Sequence, residues 1–205
     1  MAAPFATVTT LPLPLLRDNV DTDQIIPSRE MTSTGKTGLA DGLFAGWRYL
    51  GTSGRTPDPA FVLNDPRFAP STVILAGRNF GCGSSREHAV WALAEYGFRA
   101  VIAESFAPIF AGNCIRNGIV PVVLPGAAIS AIAAAGLPLT VDLAAQEVRL
   151  EGGATWPFAI DAEAKAMLAH GLDAIDLTLR HAAAIAAWQQ RDRAERPWIY
   201  LENEA

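Results

Sequence analysis

An alternation of short apolar runs and helical patterns between residues 71 and 124 constrains the fold more than any other feature of the chain. The apolar runs are too short for helices, whereas the segments between them carry apolar residues at helical spacing. We predict strands at residues 73–76, 100–103 and 120–124, and helices at residues 85–97 and 108–117. Strands that alternate with helices favour right-handed crossovers, so the sequence predicts an α/β fold with a mainly parallel sheet.

The rest of the chain adds helices and one hairpin to this unit. Helices are predicted at residues 127–135, 161–169 and 177–191, and a hairpin is predicted at residues 139–143 and 147–150. Residues 11–16 are expected to form an extended entry that prolines interrupt, and residues 28–40 and 51–59 are expected to be loops. No repeat or interdomain linker is visible, so a single domain is predicted over residues 1–205.

Composition argues against several classes of function. The chain has a net charge of −5 and no basic cluster, which argues against nucleic-acid binding. Its two cysteines, Cys82 and Cys114, are too few for a zinc motif or an iron–sulfur cluster, so any cluster must belong to another chain. Prolines and glycines interrupt the uncharged run at residues 119–141, so we expect no membrane span and a soluble, cytoplasmic protein.

The candidate site lies in the turn between the strand at residues 73–76 and the helix that follows it. Three glycines precede Ser84 and Ser85, and glycine allows a backbone to turn sharply and to approach a ligand. We expect the helix to begin at the two serines, where unpaired N–H groups favour an anion. Arg86 adds a guanidinium group that suits a carboxylate. The sequence therefore predicts a site for a small acidic molecule.

Simpler interpretations of these residues stay open. Ser84 and Glu87 have the spacing of a capping box, which needs no ligand. His88 either takes part in chemistry or packs against the helix. Cys82 is a candidate thiolate nucleophile, although no third orienting group follows it. A non-catalytic module that binds an anion also fits, because an anion at a helix start needs only the backbone.

The polar loop at residues 17–23 carries two closely spaced aspartates that could suggest a cation site. Asp21 and Asp23 stand two residues apart, but the later ligands of a calcium loop are missing. Structural Asx turns, or orientation of the neighbouring arginines, are therefore the preferred interpretation of the two carboxylates.

Two segments carry a family resemblance. Residues 19–27 read Asn-Val-Asp-Thr-Asp-Gln-Ile-Ile-Pro, and residues 79–89 read Asn-Phe-Gly-Cys-Gly-Ser-Ser-Arg-Glu-His-Ala. Shorter matches follow at residues 42–49, 61–64, 107–113 and 171–179, so the likeness covers nearly the whole chain in order. The chain resembles the small subunits of 3-isopropylmalate dehydratase, in the aconitase superfamily.

This resemblance implies a fold, an activity and a partner. The fold would be a β/β/α swivelling domain that docks onto a larger catalytic subunit. The reaction would interconvert 2-isopropylmalate and 3-isopropylmalate by dehydration and rehydration, in leucine biosynthesis, and the substrate would be a hydroxy-diacid. A [4Fe–4S] cluster would lie in the large subunit, and this chain would hold no cofactor.

The resemblance also implies roles for single residues. Ser84 matches the serine that removes the C–H proton, and its alkoxide would need stabilisation by surrounding N–H groups and positive charge. Ser85 and Arg86 match contacts to a substrate carboxylate. The supporting positions are Asp21, Asp23, Gly81, Gly83 and His88.

The chain departs from its family in the loop at residues 27–38. The family usually carries an aromatic or leucine pair there and then Arg-Thr-Gly, whereas this chain has Glu30 and Met31 and later Lys36. All three are candidate contacts to the substituent of the substrate. An unpaired Glu30 would favour a smaller or more polar malate such as citramalate. Alternatively, Glu30 points outward or pairs with Arg29 or Lys36, and Met31 keeps the pocket apolar.

Overall fold

The computed structural model describes residues 3–31, 35–51 and 54–200, and its strands form two four-stranded sheets. The strands are β1 Thr7–Thr10, β2 Leu13–Leu15, β3 Val73–Ala76, β4 Ala100–Ala103, β5 Val120–Val123, β6 Leu139–Asp142, β7 Glu147–Leu150 and β8 Thr155–Pro157. The helices are α1 Thr22–Ile25, α2 Ala45–Arg48, α3 His88–Tyr96, α4 Pro108–Arg116, α5 Gly126–Ala135, α6 Ala162–His170, α7 Ala174–Leu179 and α8 Ala182–Glu195. Short 3₁₀ turns lie at Ser28–Glu30, Ala40–Gly42, Val62–Asn64, Pro66–Phe68 and Pro197–Ile199.

The first sheet is parallel throughout, in the order β2-β3-β4-β5. Its strands β3, β4 and β5 and the helices α3 and α4 confirm the predicted alternation. Strand β2 was expected only as an extended entry, because Pro14 lies at its centre. A proline cannot donate to a sheet, but β2 is an edge strand with one neighbour, where a missing N–H donor is tolerated.

The second sheet is antiparallel, in the order β1-β6-β7-β8. The hairpin of β6 and β7 confirms the prediction for that segment, with Val141 opposite Val148. The outer strands β1 and β8 were missed, because they are short and largely polar or exposed at their ends. The α/β class is confirmed, but the fold holds an antiparallel sheet as large as the parallel one.

The parallel sheet separates two apolar cores. In β3, Ile74 and Ala76 belong to one core and Val73 and Leu75 to the other, as the two-residue period of a strand requires. The first core lies under α1, α3 and α4, and the second lies under α5, α6 and the antiparallel sheet. The loop at residues 77–87 follows the carboxyl end of β3, and its Gly77 carbonyl oxygen accepts from Glu104 N–H, directly after β4, at 3.2 Å.

The C-terminal segment differs from the single helix predicted at residues 177–191. Asp173 caps α7 through a capping box with Asp176, and α7 ends at Leu179. A new helix, α8, begins at Ala182. Nowhere in the described ranges is a helix both long enough and apolar enough to cross a membrane.

Candidate active site

Helix α3 begins at His88, three residues later than predicted. Its N-cap residue is Glu87, which makes no capping hydrogen bond with its side chain. Glu87 Oε1 instead accepts a hydrogen bond of 2.7 Å from Asn117 Nδ2. The predicted start at the serines and the Ser84–Glu87 capping box are therefore wrong, because a tertiary contact draws the Glu87 side chain away from the helix start.

Backbone hydrogen bonds join the loop at residues 77–87 to the loop at residues 17–22. Gly81 N–H donates to the carbonyl oxygen of Val20 at 2.8 Å, and Thr22 N–H donates to that of Cys82 at 2.9 Å. The two sequence motifs, about sixty residues apart, thus form one local structure. The side chain of Thr22 continues it, since its buried Oγ1 accepts from Ser84 N–H at 3.1 Å.

Two of the glycines are required at their positions. Gly81 has φ +77°, and a Cβ there would lie 2.0 Å from the ring of Phe110. Gly83 has φ +90°, a left-handed backbone in which other residues are strained, and a Cβ would lie 3.3 Å from Cβ of Asp21. Both glycines are therefore required by the backbone and packing of this loop, and their supporting role at the site stays a prediction.

The carboxylates of the first loop have separate structural tasks. Asp21 is the N-cap of α1, and its Oδ1 accepts from Gln24 N–H at 2.7 Å. Asp23 forms an ion pair with Arg86 through Oδ1 and Nη1. The structural interpretation of these two carboxylates is confirmed, because Asp21 caps a helix and Asp23 pairs with an arginine.

A small pocket of about 90 Å³ gathers the predicted catalytic and carboxylate-binding residues. Its walls include Ser84, Ser85, Arg86 and the first turn of α4. Helix α4 begins with Pro108, and its N-cap Ala107 has no side chain that accepts a hydrogen bond. The first N–H groups of a helix have no partner within it, so this end of α4 favours an anion.

Sequence analysis missed this contribution of α4. Helix α3 begins at His88 and not at the serines, as had been expected. The helix start that lies beside Ser84 is that of α4, which connects β4 to β5. The sequence signal for the start of α4 is Pro108, since proline is common at the first position of a helix. Thr22 and Asn113 also line the pocket and were not predicted.

The three candidates from the loop at residues 27–38 do not line this pocket. Lys36 lies in a separate cavity of about 400 Å³, where its Nζ donates to Asn117 Oδ1 at 3.0 Å. Glu30 Oε2 accepts from Arg55 Nη2 at 2.6 Å, and Glu30 Oε1 lies 3.3 Å from Arg29 Nε. Met31 packs against the first core.

The expectation of an unpaired Glu30 is therefore wrong, and so is its pairing with Lys36, whereas its pairing with Arg29 is confirmed. Arg55 is a further partner of Glu30 that the sequence pattern did not indicate. The residues at 32–34, which belong to the same predicted loop, lie outside the described residues.

Two alternative chemistries lose support at this site. Burial and then the nearby carboxylate of Asp21 raise the pKa of Cys82, which opposes a reactive thiolate. The ring of His88 lies against Trp91, with 4.6 Å between the ring centroids, which favours the interpretation that His88 packs against its helix. In the three described ranges, no group of three or more His, Cys, Asp or Glu side chains could hold a metal ion.

Comparisons with known proteins agree over nearly the whole chain. The family model of the aconitase C-terminal domain matches residues 2–127, and a LeuD_N model matches residues 130–162. The model of the C-terminal domain of the 3-isopropylmalate dehydratase small subunit matches residues 175–200. A 3-isopropylmalate dehydratase small subunit from Cupriavidus necator is 53% identical over 206 residues, covering 98% of this chain and 99% of its own.

A solved structure resembles the fold as well. The crystal structure of 3-isopropylmalate dehydratase from Methanocaldococcus jannaschii has a TM-score of 0.67 and 31% sequence identity. The match covers 88% of this chain and 99% of the archaeal one.

Proposed function

Because this chain belongs to the family of 3-isopropylmalate dehydratase small subunits, we propose that its loop at residues 77–87 supplies the proton-transfer and carboxylate-binding groups of that enzyme. The family is one of hydro-lyases that serve leucine biosynthesis by interconverting 2-isopropylmalate and 3-isopropylmalate. The observation that carries the proposal is the pocket in which Ser84, Ser85 and Arg86 meet the start of α4.

Ser84 is the proposed base that takes the C–H proton onto its Oγ. A serine hydroxyl is too weak a base in water, so its ionised form must be stabilised by fixed dipoles and positive charge. The start of α4 and Arg86 lie around the same pocket and supply both. The hydrogen bond from Ser84 N–H to Thr22 fixes the backbone that carries the hydroxyl.

Arg86 and Ser85 are the proposed contacts to a substrate carboxylate. Asp23 holds one edge of the Arg86 guanidinium, and a planar guanidinium presents further donors beyond the paired edge. About a third of the Arg86 side chain is exposed, at 34%, so part of it stays accessible to a ligand. Ser85 is exposed beside it.

The pocket supports the need for a partner chain. Small-molecule sites commonly measure about 300 to 1,000 Å³, whereas this pocket measures about 90 Å³ and opens to solvent at Ser84. An isopropylmalate molecule therefore needs a second surface to enclose it. The family name, small subunit, implies a large subunit that would provide this surface.

The large subunit is also the proposed holder of the [4Fe–4S] cluster. Such a cluster needs several thiolates, and the free cysteines of this chain are Cys82 and the buried Cys114. These two residues do not fit a cluster. When bound in the large subunit, the cluster would act as a Lewis acid on the hydroxyl group that leaves.

We propose that residues 1–205 form one domain. Strands β3 and β4 contribute to both cores, so the parallel sheet is shared by the two halves of the fold. A cytoplasmic location stays a prediction, as does the interpretation of the chain as a single swivelling domain.

The test is reconstitution of this chain with the large subunit of its own host. We expect turnover of 2-isopropylmalate only when both chains are present, with the iron in the large subunit. Ultraviolet absorbance monitors the dehydration of the substrate, and iron analysis of each purified chain shows which chain holds the iron. Turnover by the isolated small chain, or iron bound to it, would contradict the proposal.

A further inference from the structure

The segment from α7 to the end of the described chain is almost entirely exposed. In the described stretch from residue 173 to residue 200, Asp192 is the one buried residue. Helix α8 packs mainly against the short turn Pro197–Ile199 that follows it. A helix of this length gains most of its stability in a protein from tertiary contacts, which are nearly absent here.

Large apolar side chains are concentrated in the same segment. Half of the ten exposed large apolar residues in the described ranges lie in it, although it holds about an eighth of the chain. They are Ile175, Leu179, Trp188, Trp198 and Ile199. Such a concentration of exposed apolar side chains in one segment favours an interaction surface.

A polar clamp fixes the end of this segment. Asp192 accepts from Arg196 Nε at 2.7 Å through Oδ1 and from Tyr200 Oη at 2.6 Å through Oδ2. The guanidinium carbon of Arg193 lies 4.9 Å from the centroid of the Tyr200 ring. The turn that these contacts enclose presents Trp198, which is 73% exposed. The clamp therefore orders a tryptophan that stays in water.

We propose that residues 175–200 are the surface through which this chain binds its large subunit. This rests on the proposed function, because the partner follows from the family. The aconitase domain is by its name the end of a longer chain, whereas this chain is a separate subunit that must bind without a covalent link. The model of the small subunit's C-terminal domain matches residues 175–200, where these five exposed apolar residues lie.

The chemistry of the segment defines the surface that it fits. Tryptophan is among the residues that carry most binding energy at protein interfaces, so the large subunit should offer an apolar groove for Trp198 and Ile199. Among the residues that the structure describes, Arg180 and Arg191 are exposed and form no ion pair. Carboxylates at the rim of the groove would complement these two arginines.

The experiment measures the dissociation constant between the full-length chain and its large subunit. Trp198→Ala should raise the Kd by about tenfold or more, as for a buried interface tryptophan, and Trp198→Phe should recover part of the loss. Tyr200→Phe keeps the ring but removes the hydrogen bond to Asp192, so it should raise the Kd by a smaller factor. Leu137→Ala is the matched control, because Leu137 is exposed outside the segment and should leave the Kd unchanged.

Two further measurements separate this proposal from the proposed function. When the large subunit is saturated with the variant chain, the Trp198→Ala complex should turn over substrate as fast as the wild-type complex. The Ser84→Ala chain should bind the large subunit normally, but its complex should not turn over substrate. A Ser84→Ala variant with full turnover would overturn the catalytic role and leave the docking surface standing.

Other outcomes would overturn the docking surface itself. These are a Kd within about threefold of wild type when both Trp188 and Trp198 are alanine, or absence of binding by the wild-type chain. The same holds if Trp198→Ala dissociates a homodimer of this chain, seen by sedimentation, while its affinity for the large subunit is unchanged.

Discussion

Ser84 offers the clearest distinction between catalysis and structure. Because α3 starts at His88 and Glu87 is its N-cap, the Ser84 hydroxyl caps no helix. We therefore expect Ser84→Ala to lower kcat by about 10² to 10⁴ without the loss of about 1 kcal/mol that accompanies a lost cap. Turnover of the reconstituted complex and thermal unfolding of the isolated chain measure the two effects. Ser130→Ala, an exposed change on α5, is the control and should alter neither.

Thr22 tests how the loop beneath Ser84 is held in place. Thr22→Val keeps the size of the side chain but removes the acceptor for Ser84 N–H, which costs about 1 to 3 kcal/mol if that N–H then lies buried and unpaired. We expect a lower melting temperature and a kcat reduced by about tenfold, since a small displacement of a reacting group is costly. Thr22→Ser restores a hydroxyl and should recover most of both quantities. Wild-type kcat in the valine variant would show that this hydrogen bond does not position the serine.

At the scale of elements, Glu95 of α3 anchors the segment at residues 38–40. Its carboxylate accepts from the backbone N–H groups of Gly38, Leu39 and Ala40 at 2.6, 2.5 and 2.9 Å. Burial raises the pKa of Glu95, but the three donors outweigh it, so its pKa lies below the usual value of 4.5. A lowered pKa in the folded state means stabilisation above the unfolded pKa that is lost as the pH falls through the folded pKa.

We therefore expect Glu95→Gln to destabilise the fold at neutral pH, by about 1 kcal/mol once solvent screening of this exposed group is considered. The difference in unfolding free energy between the two proteins should shrink as the pH falls below about 4. Chemical denaturation across that range measures it. A difference independent of pH would mean that the charge of Glu95 contributes nothing beyond its shape.

The elements also show what a sequence can and cannot predict. Strands β3, β4 and β5 were predictable, because they are short, apolar and bounded by turn residues. The start of α3 was not, because it depends on the contact between Glu87 and Asn117, which lie thirty residues apart. The grouping of Ser84 with Arg86 beside one pocket follows from a local motif, whereas the pairing of Glu30 with Arg55 and the approach of α4 depend on topology.

At the scale of the molecule, the pairing of Glu30 bears on the choice of substrate. A buried, unpaired carboxylate would have disfavoured an isopropyl group, but Glu30 already has two arginine partners. We therefore expect the complex to prefer isopropylmalate over citramalate and unsubstituted malate. An apolar contact the size of a methylene is worth about 1 to 3 kcal/mol, so a preference of about a hundredfold is reasonable.

The measurement is kcat/KM for the three acids in the complex with its own large subunit. Equal or greater kcat/KM for citramalate than for isopropylmalate would contradict this expectation and would indicate that Glu30 contacts the substrate in the complex. Arg55→Ala provides a direct control, because it removes the shorter of the two arginine contacts of Glu30 and leaves the proposed catalytic residues unchanged.

The hydrogen bonds between the loops at residues 17–22 and 77–87 lie entirely within one polypeptide. The geometry around Ser84 is thus inherited with a single gene, whatever large subunit the chain meets. A large subunit can therefore change its own contacts to a substrate without altering the hydrogen bonds that hold the loop at residues 77–87.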